Sequence, residues 1–139
     1  ARAFAAVKLS GCVVTWGSAE AGGDSSAVSE HLRDGVQHVF STRCAFAALK
    51  RSGAVVAWGA PAFGGDASAV APRLQSGVQT VFSTVYAFAA LTTGGAVVAW
   101  GSPKFGGNCD SVASALQDGV RDVASTEKAF AAVKESFTV

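Results

Sequence analysis

The sequence predicts a mainly β repeat protein with short helices, and three observations support this fold class. A segment of 42 residues recurs without insertion or deletion, each copy contains three short runs suited to β-strands, and each has a pattern typical of a short helix. Such a strict period indicates units that stack to share a core. The recurring markers are Ala-Phe-Ala-Ala, starting at Ala3, Ala45, Ala87 and Ala129, and the tryptophans Trp16, Trp58 and Trp100.

The strands of one copy are predicted from its local composition. Residues 36–42 form strand A, because β-branched and aromatic residues are frequent there. Residues 45–49 form strand B, which is apolar on both faces and should be covered on both sides. A turn follows at 50–53, where Gly53 is suited to a positive φ, and strand C covers 54–58. The three strands should pair as an antiparallel meander.

A short helix is predicted after each strand C. Val70 and Leu74 are spaced i, i+4 and form one apolar stripe, which should dock on the sheet. The expected N-caps are Ser26, Ser68 and Asp110, and the expected left-handed glycines beyond the helix ends are Gly35, Gly77 and Gly119. The side chains predicted to be buried are Phe46, Val56, Val70, Leu74 and Phe88.

The repeats fill a single domain over residues 1–139. The copies cover about 3–44, 45–86 and 87–128, and a partial fourth copy covers 129–139. We expect an open stack in which residues 127–139 act as a C-terminal edge or cap, with a partial strand C at 137–139. A closed three-sided prism or a propeller-like ring is the alternative. Either arrangement leaves a sheet edge that could accept a partner strand.

The repeat resembles that of the regulator of chromosome condensation family. The resemblance rests on Val36-x-x-Val39, Ala45–Leu49, the run Gly53-x-Val55-Val56-x-Trp58-Gly59, and Gly64-Gly65-Asp66. It implies a propeller-type β repeat, although the family's repeats are longer and seven of them close the ring. In that family, nucleotide exchange on a small GTPase depends on a face of the complete propeller. No residue here corresponds to that face, so only the repeat relationship is carried over.

Composition limits the functional classes. Half of the residues are hydrophobic, 15% are charged, and the mean hydropathy is +0.34, yet no apolar run reaches the roughly 18 residues of a membrane-spanning helix. Eleven basic and ten acidic residues argue against nucleic acid as a partner. Three cysteines without C-x-x-C spacing indicate neither a disulfide framework nor a zinc site. The absence of methionine indicates either a processed product or a piece of a larger chain, and a processed product could be organellar or exported.

Positions that differ between copies are the first candidates for function, because the repeated positions are needed for stacking. Two variable segments, the loop after Trp-Gly and the break between strands A and B, contain apolar or aromatic residues. In loops, such residues mark an interface when they cluster. The alternative is that Phe63 and Phe105 tuck under the helix. The predicted partner-binding residues are Phe63, Tyr86, Lys104 and Phe105.

Two repeated sets of residues are the alternative ligand site. Trp16, Trp58 and Trp100 could form a row of platforms for a sugar, or they could be core spacers whose N–H groups bond to the backbone. Asp24, Asp66 and Asn108 could bind calcium or a sugar hydroxyl, or they could form Asx turns that lead into the helices. A calcium ion needs about six oxygen ligands, and each loop has too few acidic groups.

No catalytic set is recognisable in the sequence. His31 and His38 have no histidine 42 or 84 residues further on, and no nucleophile–base–acid pattern occurs. We therefore expect no enzyme, cofactor or metal, but a structural or protein-binding module whose partners are other protein subunits, such as a piece of a larger assembly. A lectin-like module is the alternative. Two further functions rank below these: a small-GTPase exchange factor, by family analogy, and an accessory subunit in peripheral contact with a membrane complex such as a photosynthetic one.

Overall fold

The computed structural model describes residues 2–135 as four small antiparallel sheets that follow one another along the chain. The strands are β1 (Ala3–Val7), β2 (Val13–Gly17), β3 (Val36–Ser41), β4 (Ala45–Lys50), β5 (Val55–Gly59), β6 (Val78–Ser83), β7 (Ala87–Thr92), β8 (Val97–Gly101), β9 (Val120–Ser125) and β10 (Phe130–Lys134). The helices are all of the 3₁₀ type: η1 (Ala19–Ala21), η2 (Ser26–Leu32), η3 (Pro61–Phe63), η4 (Ser68–Leu74), η5 (Pro103–Phe105) and η6 (Asp110–Leu116). The predicted mainly β repeat fold is confirmed.

The two central sheets contain the predicted meander, in the orders β3-β4-β5 and β6-β7-β8. Each first strand carries a bulge, at Gln37 and at Gln79, that the composition did not indicate. The outer sheets are two-stranded within the described residues: β1-β2 lacks a strand A, and β9-β10 lacks a strand C. No described strand joins the first sheet to the last, so this part of the chain forms no closed ring. The partial strand C predicted at 137–139 lies outside the described residues.

Burial of the Ala-Phe-Ala-Ala strand depends on its place in the stack. In β4 and β7 the first five residues are buried, as expected for strands covered on both faces. In β1 and β10 the same motif is largely exposed, because each has a neighbouring sheet on one side only. The position of a strand in the stack, and not its sequence, therefore decides its burial.

Adjacent sheets are joined by an aromatic pair that packs on a glycine. Phe46 and Trp58 stack at 5.4 Å between ring centroids, and both approach Gly22 of the preceding unit. The indole Nε1–H of Trp58 donates a hydrogen bond to the Gly22 carbonyl at 3.0 Å. Forty-two residues later, Trp100 donates in the same way to Gly64 at 3.1 Å. Gly22 adopts a φ of 105°, where a side chain would be strained and would collide with Phe46.

The longer helices begin where the sequence predicts, at Ser26, Ser68 and Asp110. They end at the third residue before the predicted glycine, although those glycines do adopt positive φ. The N-cap assignment is wrong in detail, since none of these helices has a side-chain cap at the residue before its first turn. The acceptors are instead the side chains two residues upstream of the helix start. Seven residues is long for a 3₁₀ helix, and η6 has a kink at Val112, whose φ of −123° is not helical.

The burial predictions are confirmed at three positions and need correction at two. Phe46, Leu74 and Phe88 are buried, whereas Val56 and Val70 are only partly buried. Both valines still pack against core clusters. Val56 lies on β5 and Val70 lies on η4 itself. No helix in residues 2–135 is long and apolar enough to cross a membrane.

Candidate partner-binding surface

Three aromatic residues that differ between the repeats meet in one cluster, which we call the aromatic cluster: Phe63, Tyr86 and Phe105. The Tyr86 ring lies 4.3 Å from Phe63 and 4.9 Å from Phe105, measured between ring centroids, and meets Phe105 edge to face. Aromatic rings at such distances attract each other beyond the area that they bury. All three are half-buried, so part of each ring faces solvent. Three of the four predicted partner-binding residues are thus in direct contact.

Hydrogen bonds to backbone carbonyls hold the loops of this cluster from two sides. Thr42 donates its hydroxyl to the Phe63 carbonyl at 3.0 Å, and Thr84 donates to the Phe105 carbonyl at 2.7 Å. Both threonines are buried. The Tyr86 carbonyl accepts a hydrogen bond from the Ser102 N–H at 2.9 Å. These contacts join loops that lie about twenty residues apart in sequence and give the rings fixed positions.

Each loop phenylalanine is the last residue of a one-turn helix. Pro61 begins η3 and Pro103 begins η5, and a proline at the first helical position fixes φ. Gly64 and Gly106 follow the phenylalanines with φ near 100°, which turns the chain toward the next helix. The phenylalanines therefore stay at the loop surface against Tyr86, in place of the alternative position under the longer helix.

Lys104 is the fourth predicted residue. Its side chain is exposed and directly precedes Phe105. Lys104 also lines a groove of about 530 Å³ near the C-terminal end of the described residues, together with Lys128 and Lys134. Lys134 forms an ion pair with Asp118 at 3.8 Å, so Lys104 is the positive charge that adjoins the aromatic cluster directly.

Sequence reasoning missed the two threonines that position the loops. Their signal is the pair Ser-Thr, which recurs in phase at Ser41-Thr42, Ser83-Thr84 and Ser125-Thr126. The first two hydroxyls bond to the phenylalanine carbonyls, whereas Thr126 is exposed. A repeated polar pair at the end of a strand is thus a sign of inter-unit bonding. The period alone does not reveal which carbonyl accepts the bond.

The tryptophans of the alternative ligand site do not form an exposed row. Trp58 and Trp100 are each 4% exposed, with their indole N–H groups bonded to backbone carbonyls. Trp16 is different, since half of its surface is exposed. Two of the three rings therefore act as the core spacers considered above, and one remains open to solvent.

The acidic residues of that alternative site have a local role. The carboxylate of Asp24 accepts the Ser26 N–H at 2.9 Å, Asp66 accepts the Ser68 N–H, and the Asn108 side chain accepts the Asp110 N–H. These are Asx turns at the helix starts. The Ser26 hydroxyl and then its N–H lower the pKa of Asp24, and Ser68 lowers the pKa of Asp66 in the same way.

The described residues contain no group of three or more His, Cys, Asp or Glu side chains that could hold a metal ion. Cys12, Cys44 and Cys109 are free thiols.

Comparison of the chain with protein-family models and with curated proteins finds no match. The resemblance to the regulator of chromosome condensation repeat therefore stays a prediction that rests on the residues quoted for it.

Proposed function

We propose that this chain is a non-enzymatic repeat module that binds another protein subunit through the aromatic cluster. The observation that carries the proposal is the convergence of Phe63, Tyr86 and Phe105, which come from positions that vary between copies. Apolar residues that the scaffold does not need, yet which meet at the surface, are typical of a binding site.

The first repeat supports the view that the scaffold does not need these rings. There, Ala21 stands in the place of Phe63, and Cys44 stands in the place of Tyr86. The strands and helices of the first unit are nevertheless in phase with those of the second and third. The rings are therefore free to serve a partner.

The cluster also has the properties of an anchor. Its rings are held by mutual packing and its loops by the hydroxyls of Thr42 and Thr84, so little side-chain entropy is lost on binding. Aromatic residues dominate the energetics of many protein interfaces. Because Lys104 is exposed beside the cluster, the best partner presents an apolar side chain next to an acidic group.

The test uses substitutions that copy residues of the first repeat. Phe63→Ala with Phe105→Ala places the counterpart of Ala21 in both later loops, and Lys104→Glu copies Glu20. The native chain and each variant are purified from their source with associated proteins, which mass spectrometry identifies. Arg73→Glu, an exposed charge reversal on η4, is the matched control for Lys104→Glu.

Loss of one protein from the double variant and from Lys104→Glu, with retention by Arg73→Glu, supports the proposal. Equal recovery of the same proteins by all forms overturns it. Circular dichroism and thermal melting of each variant verify the fold. If Phe63→Ala with Phe105→Ala unfolds, the rings belong to the core and the interface assignment is withdrawn.

A further inference from the structure

The two ends of the stack are complementary halves of one unit. Within residues 2–135, the first sheet supplies strands B and C but no strand A, and the last sheet supplies strands A and B but no strand C. The interface between consecutive units occurs twice within the chain, so its requirements are known. A strand C contributes a tryptophan and a valine, and the preceding unit contributes a glycine loop and a helix.

The first sheet contributes the half of this interface that strands B and C form, and this half, the β1–β2 hairpin, is exposed. Phe4 is 59% exposed and Trp16 is 50% exposed, and Val14 on the same strand as Trp16 is also exposed. The Phe4 and Trp16 rings already stack at 5.4 Å, the separation seen for the buried pair Phe46 and Trp58. The two rings therefore already have the arrangement that they would need in the interface.

The last unit presents the acceptor half. The 530 Å³ groove lies between η5, η6 and β10 and is lined by Gly106, Val112, Leu116 and Phe130. Leu116 is only half-buried, whereas its counterparts Leu32 and Leu74 are each 2% exposed. No indole of the described residues donates to the Gly106 carbonyl, although Gly22 and Gly64 each receive one.

The strands at the two ends are identical in sequence over six residues. Residues 3–8 and residues 129–134 both read Ala-Phe-Ala-Ala-Val-Lys, while the inner copies end in Leu-Lys and Leu-Thr. β1 can therefore replace β10 on β9 without changing a side chain. Phe4 would take the place of Phe130 against Gly106, and Lys8 would take the place of Lys134 beside Asp118.

We propose that two copies of this chain associate head to tail by strand exchange. The β1–β2 hairpin of one copy pairs with β9 of the other and displaces β10, so that Val14 and Trp16 fill the groove and the Trp16 Nε1–H donates to the Gly106 carbonyl. The displaced strand buries little side-chain surface, because four of its five residues are exposed, and its backbone pairing with β9 is replaced by that of β1. The association continues the internal repeat, so the next units meet as consecutive units already do. The groove shares Lys104 with the surface proposed above, but none of the three rings of the aromatic cluster lines it. The variants Phe63→Ala with Phe105→Ala and Trp16→Ser therefore test the two proposals separately.

The test is a mixing experiment with two full-length variants. Trp16→Ser removes the indole of the β1–β2 hairpin but leaves the groove intact. Val112→Glu places a charge in the groove but leaves the hairpin intact. Val112 is exposed, so its substitution should not disturb folding. Leu9→Ser is the control, since Leu9 is fully exposed in the turn and its counterparts Arg51 and Thr93 stay exposed within the stack.

Light scattering across a concentration series should show association of the native chain and of Leu9→Ser. Each of the other two variants alone should associate on the order of thirtyfold more weakly, as for loss of one interface anchor. Mixed in equal amounts, they should form a one-to-one dimer that grows no further. Phe130→Ser weakens the packing of β10, which Phe4 and β1 replace in the exchanged form, and should therefore strengthen association.

A native chain that stays monomeric at all concentrations overturns the proposal, and its exposed face would then belong to another occupant, such as a further repeat of a longer chain. A mixture that stays monomeric while the native chain associates also overturns it. Association by Val112→Glu at the native level excludes the groove as the acceptor.

Discussion

Residues at equivalent positions of different repeats contribute unequally to stability, and the tryptophans are the clearest example. We expect Trp100→Phe to lower the free energy of unfolding by about 2–3 kcal/mol, because it removes the donor for the buried Gly64 carbonyl and leaves a small cavity. Trp16→Phe is the matched control, expected within about 0.5 kcal/mol of the native chain because Trp16 is half-exposed. Urea unfolding in dilute solution measures both. Equal losses would show that the indole hydrogen bond contributes nothing.

The Asx turns make a small part of the stability depend on pH. The folded state lowers the pKa of Asp24 and Asp66 below the usual 3.8, so each carboxylate stabilises the fold above that pH. The contribution is lost as the pH falls through the lowered pKa. Asp24→Asn with Asp66→Asn copies Asn108, which accepts the same hydrogen bond without titrating.

We expect this double variant to match the native melting temperature more closely in acid than at neutral pH. The difference should be small, because both carboxylates are exposed. Thermal melts at neutral pH and well below pH 3.8 measure it. A difference that is larger in acid would contradict the assignment of the turns as the cause.

At the scale of an element, the glycine after each one-turn helix determines whether two units can approach. Gly64 has a φ of 107°, and a Cβ there would lie 2.6 Å from the Phe88 ring. We expect Gly64→Ala to cost about 2–4 kcal/mol through backbone strain and overpacking. Gly94→Ala is the control: its Cβ would meet nothing closer than 3.9 Å, so the change should be neutral or stabilise by up to about 1 kcal/mol. Chemical unfolding distinguishes them, and similar losses at both glycines would exclude close approach as the reason.

The elements were largely predictable from sequence, and the site only in part. The period places every strand and the start of every longer helix, because each unit repeats the same local chemistry. The contact of Tyr86 with Phe63 and Phe105 depends on the offset between neighbouring units, which no local pattern contains. Trp16 is exposed and Trp58 is buried, because a preceding unit packs against Trp58 but not against Trp16. The neighbouring residues in the sequence do not predict this difference. Local chemistry repeats, whereas position in the stack does not.

At the scale of the whole molecule, the main contacts between elements of residues 2–135 lie within a unit or between neighbouring units, so stability should decrease toward both ends. In repeat architectures each unit is stabilised by its two interfaces, and an end unit has one. β4 and β7 are buried on both faces, whereas β1 and β10 are largely exposed. Local opening therefore costs least at the ends.

Amide hydrogen exchange followed by mass spectrometry should reveal this gradient in dilute solution. We expect the slowest exchange in β4 and β7 and the fastest in β1 and β10, although β1 and β10 have the same sequence core as the inner strands. Comparing identical or nearly identical strands removes differences in intrinsic exchange rate, so the contrast reports position alone. Uniform protection across the four strands would mean that the stack opens as one cooperative unit. Raising the concentration should then slow exchange in β1 and β2 but not in β4, because head-to-tail association covers the first hairpin and leaves the interior unchanged.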